Sequence, residues 1–474
     1  MTQSPDPSRE TPRDTSLWAD IVSALRGKHL EYTSGSLWRA ILVLSVPMVL
    51  EMFMQSVFEI VDIFFVGKLG SDAVAAVGLT MPLIIVVFAI GLGLSMAASA
   101  MVARRIGAKD ADGAARAAWQ AIVLTVGFAI PAGVAGAIWA PDLLSLMGAT
   151  PAVRDLGGGY AAVMLGSNLL ILMLFLFNAI FRASGDASAA MRALWIANIL
   201  NVILDPILIF GWGPVPAMGV TGAAVATAIG RAIGVLYQIH LLTSGKSRVR
   251  LEKQHCRIEP TVQRSMIRIA GPGMLQYIVG TASWLAVMRL VAGFGSDALA
   301  GYTVSIRVII FALLPSWGIS NAAATLVGQN LGAEQPDRAE RSVWLCTFLD
   351  TGFLTLMGAF FWVFAPETVA IFIHEPAAQA VGIESMRILT LIYPIWAIGM
   401  VTVQSFNGAG DTTTPTWIHF FCYWVLQIPL AWVLAHKAGL GTQGIFLSIA
   451  AAQVTAALVS AWLFRKGRWK TISV

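Results

Sequence analysis

The chain has 474 residues, 57% hydrophobic and 12% charged, with a mean hydropathy of +0.74 and a net charge of +5. Soluble domains carry roughly 25% charged residues, so a water-soluble globular protein is excluded and a polytopic membrane protein is indicated. Cys256, Cys346 and Cys422 are scattered and odd in number, which argues against a disulfide framework or a metal site. In chain order, residues 1–37 are polar, rich in Pro and Ser, and lack the apolar core of a signal peptide. They are expected to form a loose cytoplasmic arm with a short amphipathic piece around Leu17–Leu30. Twelve apolar runs follow, at about 38–66, 74–103, 116–139, 157–181, 193–211, 220–243, 266–292, 299–329, 342–365, 382–405, 418–437 and 443–464. Each can cross a hydrocarbon core of about 30 Å. The runs are continuous rather than alternating, so the expected fold is all-α, with twelve transmembrane helices.

Lys and Arg set the orientation. Both termini and the loops after even-numbered spans hold twenty-three of them, and the loops after odd-numbered spans hold only Lys68, Arg154, Arg387 and Lys437. Both ends of the chain are therefore expected in the cytoplasm, in a multi-pass inner-membrane protein. The positive charge is a topology signal and not a nucleic-acid footprint.

The stretch "GSDAVAAVGLTMPLIIVVFAIGLGLSMAASAMVARRIGAKDADGAARAAW" (70–119) aligns without a gap to residues 295–344 at an offset of 225, with 18 identities in 50 columns. The same offset pairs Pro47 with Pro272, and "FRASGD" (181–186) with "FNGAGD" (406–411). The chain thus reads as an arm (1–37), an N-lobe of six spans (38–243), a basic linker (244–265), a C-lobe of six spans (266–464) and a tail (465–474). Six spans is an even number, so the repeats run parallel about a pseudo-two-fold along the membrane normal, a common plan for transporters.

The repeat breaks down at its acidic residues. Asp62 of "EIVDIFFVGKLG" stands opposite Val287, Glu51 opposite Gln276, and "NVILDP" (201–206) opposite "LQIPLA". A carboxylate at a helix centre costs about 2.5–3.5 kcal/mol on insertion scales and usually marks an ion or substrate path. Asn201 and Asp205 are four apart and share a helix face. Glu51 and Asp62 are about three turns apart on span 1. Pro47 and Pro206 interrupt the hydrogen-bond ladder nearby. The same oxygens suit a shared proton or Na⁺. Blander readings stand beside these: Asp62 as a helix-end group in the headgroup zone, Asp205 as a cap at its proline kink, and Glu59 as interfacial. For Arg289, Arg307 and Asp350 the alternatives are an internal charge pairing or a functional role.

In order and spacing, "VD-x-x-FVG-x-LG" in span 1, "FRASGD" and "FNGAGD" after spans 4 and 10, "NxxxDP" in span 5 and "LVGQNLGA" after span 8 resemble the multidrug and toxic compound extrusion (MATE) transporters, over about residues 38–465. The resemblance implies two six-helix lobes around a central cleft and no cofactor. It also implies efflux of amphipathic, usually cationic compounds in antiport with H⁺ or Na⁺. The cation site of the DinF-like branch falls on Asp62, Asn201 and Asp205, with Tyr160, Asn178 and Thr227 as further polar members. Na⁺ is a possible occupant of the first three, and Pro47 matches that branch's hinge. The C-lobe acidic cluster of the NorM-like branch is missing, since span 7 offers Gln276 and span 10 offers Trp396 at the matching places.

The reading is an alternating-access exporter that works as a monomer in the bilayer, with Glu51, Met54, Gln276 and Trp396 as candidates for the substrate cleft. A flippase for lipid-linked precursors is the alternative, although the strongly basic cavity it needs is represented only by Arg289 and Arg307. A membrane-embedded enzyme is disfavoured, because the six histidines show no metal spacing and no acidic loop cluster is present.

Overall fold

The computed structural model describes residues 17–25, 27, 31–472 and 474, without the side chains of Leu17, Glu59, Ile60 and Ile63. The expected role of Glu59 and most of the N-terminal arm therefore lie outside the described residues. Within the arm, Leu17–Leu25 forms a helix, and Asp20 is paired with Arg39 at the start of span 1.

Ten single helices and two bent pairs give the twelve spans. Spans 1 to 3 are Leu37–Gly67, Ser71–Gly107 and Ala111–Ile138. Span 4 is Pro151–Gly166 with Asn168–Ser184, bent by 42°. Spans 5 to 9 are Ala187–Phe210, Val220–Ser244, Pro260–Ala292, Ser296–Gly332 and Pro336–Val363. Span 10 is Pro376–Leu391 with Tyr393–Ala409, bent by 59°, and spans 11 and 12 are Thr413–Lys437 and Gly441–Arg465.

The duplication governs the helix ends. Spans 2 and 8, spans 3 and 9, and both segments of spans 4 and 10 begin and end 225 residues apart. So do the left-handed turns at Lys109 (φ 60°) and Glu334 (φ 58°). The repeated Gly-Asp is helix punctuation. Gly185 and Gly410 close spans 4 and 10 in the left-handed region, which glycine enters without strain. Asp186 then accepts from the Ala189 N–H and Asp411 from the Thr414 N–H, capping spans 5 and 11.

Spans 2 and 8 are each 37 residues long, about 55 Å, well beyond the hydrocarbon thickness. They cross at the end of the bundle that carries both termini, called here the terminal face. A Cβ on Gly107 would lie 1.9 Å from the Gln329 carbonyl oxygen, and one on Gly332 would lie 1.9 Å from that of Arg104. Deeper in, Gly93 packs against Ala270 and Met274 of span 7, and Gly318 against Met48 and Val49 of span 1. The 225-residue offset relates Gly107 to Gly332, Arg104 to Gln329, Gly93 to Gly318 and Met274 to Val49. Small residues are needed because helices in lipid associate through close backbone packing. The Gln329 amide donates to the Ala183 carbonyl at 2.8 Å, and Arg104 donates to that of Ala409 at 3.2 Å, so the lobes are sealed together at this face.

Span 11 departs from its partner, span 5. It is π-helical over Phe420–Gln427 and again over Val433–Lys437, whereas span 5 is α-helical throughout. Span 1 continues through Pro47 as one helix.

Candidate functional site

Span 5 places Asn201 and Asp205 one turn apart, both buried. Span 6 is laid directly onto them by its glycines: a Cβ on Gly230 would lie 2.4 Å from the Ala197 carbonyl oxygen, and one on Gly222 would lie 2.4 Å from that of Leu208. This close approach brings Thr227 against Asn201, with 2.9 Å between the amide and the hydroxyl. When the Asn201 amide nitrogen faces Asp205, it donates to Oδ2 at 2.9 Å while the amide oxygen accepts from Thr227 at 2.9 Å. This orientation satisfies an ionised Asp205. The reversed amide presents its oxygen to the carboxylate, as a cation or proton held there would require.

Asp62, half-buried on span 1, and Tyr160, buried on span 4, complete the cluster. Asp62 and Asp205 act on each other electrostatically, and Tyr160 senses both. Val66, Ile84, Ile209, Val220 and Ala224 enclose the group in apolar packing. Five oxygen-bearing side chains, those of Asp62, Tyr160, Asn201, Asp205 and Thr227, therefore converge within one lobe, a donor set that suits a proton or a small hard cation.

Asn178 lies elsewhere. It accepts from the Gln238 amide at 2.6 Å, and Gln238 stands eleven residues beyond Thr227, about 16 Å along span 6. Glu51 is fully buried in an ion pair with Arg182 at 2.6 Å. Beside it the Trp195 indole donates to the Leu50 carbonyl at 3.2 Å, so span 1 is pinned to spans 4 and 5 just past Pro47. No ion pair joins Asp350 to Arg289 or Arg307 among the described residues. Both arginines are exposed, while Asp350 is fully buried and accepts from the Ser316 hydroxyl at 2.7 Å.

Sequence reasoning passed over Arg231. It stands one turn past Thr227 on span 6, within electrostatic reach of Asp62 and Tyr160. The available signal was an arginine eleven residues inside an apolar run.

Gln276 and Trp396 come together in the C-lobe. They line a cavity of about 490 Å³ with Trp284, Trp317, His419 and Tyr423, and Ile85 and Met96 of span 2 close it from the N-lobe side. No Asp, Glu, Lys or Arg lines it among the described residues. The Gln276 Oε1 is buried without a hydrogen-bond partner. Met54 is half-buried on span 1 and does not line this cavity.

The MatE family profile matches residues 47–207 and again 272–433, one match for each lobe. The chain belongs to the MatE family. It is 30% identical over 437 residues to the multidrug resistance protein NorM of Burkholderia vietnamiensis, covering 89% of this chain and 92% of that one. It is 25% identical over 425 residues to the probable multidrug resistance protein YoeA of Bacillus subtilis, covering 88% and 91%. Among solved structures, the outward-facing conformation of a multidrug resistance MATE family transporter matches with a TM-score of 0.86 at 26% identity, over 94% of this chain and 97% of that one. The relatives are twelve-helix, two-lobed transporters and not enzymes, and this MATE transporter shares their architecture.

Proposed function

We propose that this transporter exports flat amphipathic, mainly cationic compounds in antiport with H⁺ or Na⁺, by the route of the DinF-like branch. The observation that carries the reading is the division of labour between the lobes. The N-lobe gathers Asp62, Asn201, Asp205, Thr227 and Tyr160, and the C-lobe offers a neutral, tryptophan-rich cavity whose faces favour planar and cationic rings. The terminal face is read as cytoplasmic from its Lys and Arg, so the lobes in this structure are closed toward the cytoplasm. An ion entering from outside would bind at Asp205 and Asp62 and reverse the Asn201 amide. Span 1 would then shift about Pro47, and substrate would be released outward. A tenfold concentration gradient of one monovalent ion supplies about 1.4 kcal/mol, enough for a tenfold drug gradient at one-for-one exchange. The flippase alternative gains no support, because neither Arg289 nor Arg307 lines the cavity.

The test is ethidium transport in proteoliposomes under a pH gradient alone or a Na⁺ gradient alone. Wild type is expected to follow one gradient, and Asp62→Asn and Asp205→Asn to lose at least nine-tenths of that rate while remaining folded. Retained gradient-driven transport in both variants would remove the carboxylates from the mechanism.

A further inference from the structure

A guanidinium in the middle of a span is as costly as a carboxylate there. Arg231 is nevertheless turned inward, with Nη1 enclosed by protein and without a hydrogen-bond partner. Arg231 stands one turn past Thr227, which meets Asn201 at 2.9 Å, so it shares the face of span 6 that packs on the N-lobe cluster, and Asp62 and Tyr160 are within its electrostatic reach. Two carboxylates alone would carry a charge of −2 and would take two monovalent cations to reach neutrality in a low-dielectric lobe. With Arg231 the group carries −1.

We propose that Arg231 is a built-in cation that fixes the ion stoichiometry of this transporter at one monovalent ion per cycle. It occupies, by covalent attachment, the charge position a second ion would otherwise fill. Exchange for a singly charged organic cation is then electroneutral, driven by the ion's concentration gradient and indifferent to the membrane potential. This rests on the proposed role of Asp62 and Asp205. It concerns charge count and holds for H⁺ or Na⁺ alike.

The experiment is ethidium transport in proteoliposomes with the ion gradient and a potassium–valinomycin potential set independently. Wild type is expected to show the same steady-state dye gradient with and without 100 mV. In Arg231→Gln, two ions enter for each dye, and 100 mV is expected to steepen the gradient about fiftyfold, the equivalent of one charge across that potential. Arg231→Lys keeps the charge and is expected to restore indifference to potential. Potential-driven dye movement in wild type overturns the proposal, as does an electroneutral Arg231→Gln or a potential-sensitive Arg231→Lys. Absence of dye movement in wild type under every gradient is a different failure, that of the transport reading itself.

Discussion

Asp62, Asn201 and Asp205 were legible as single residues because carboxylates and amides in apolar runs are expensive, and because the spacing of four in "NVILDP" fixes a shared helix face. Their partners were not legible. Glu51 read as a cleft residue, yet its neighbour is Arg182, 131 positions away, and no local pattern announces such a contact. The pair gives a direct test. Arg182 is mostly enclosed and Glu51 wholly so, and removing one partner leaves a buried charge uncompensated. Glu51→Gln is expected to destabilise the folded protein by about 3–5 kcal/mol, read as a lower unfolding temperature in detergent. Glu51→Leu combined with Arg182→Met is expected to recover most of that loss. Asp350 carries the same lesson: the sequence left an internal charge pairing and a functional role equally open, and in the fold its carboxylate accepts from the Ser316 hydroxyl.

Helix identity and register followed from hydropathy and repetition, whereas helix shape did not. Spans 4 and 10 bend at Ser167 and Ile392, beside Gly166 and Pro394, so the breaking residues were visible while the size of each bend, 42° and 59°, was not. The π-helical stretches of span 11 had no reading in the sequence. The glycines of span 6 were visible but uninterpreted until span 5 was seen pressed against them. Gly230→Ala would drive a methyl group into the Ala197 carbonyl, and a forced separation of packed helices costs typically 1–3 kcal/mol. Because the same contact holds Thr227 on Asn201, ion-driven transport in Gly230→Ala is expected to fall at least tenfold while substrate binding in the C-lobe is retained. Comparing gradient-driven ethidium flux with equilibrium ethidium binding would separate the two effects, and loss of binding in parallel would refute a specific role for this contact.

Across the whole molecule, the terminal face is fastened by both ends of the chain. The Tyr32 hydroxyl donates to the Gly185 carbonyl at 3.1 Å, and Arg338 of span 9 donates to the carbonyls of Tyr32, Ser34 and Gly35. Trp469 is fully buried, stacked on Phe464 with ring centres 4.5 Å apart. Lys470 pairs with Glu340 at 2.6 Å and Asp337 at 3.3 Å, and Arg104 donates to the Ile472 carbonyl. Burial pushes the Tyr32 phenol up to about 12, and the hydrogen bonds that Lys470 donates to Glu340 and Asp337 hold it above its ordinary 10.5. Both folded values lie above the unfolded ones, so this fastening is fully present below about pH 10 and weakens only as the pH rises further. Deleting residues 467–474 is therefore expected to increase labelling of a cysteine placed at Gln329 by a membrane-impermeant reagent, equally at pH 6 and pH 9. Unchanged labelling would show that the tail is not part of the closure. The sequence by itself determined the membrane class, the twelve spans and the parallel duplication, because hydropathy and repetition are written locally along the chain. Tertiary structure alone decided that Arg231 turns inward on the face of span 6 that carries Thr227, that Glu51 pairs with Arg182, and that Gln276 and Trp396 share one cavity. Those outcomes depend on how each helix is rotated and how closely it crosses its neighbours, which packing among distant segments sets.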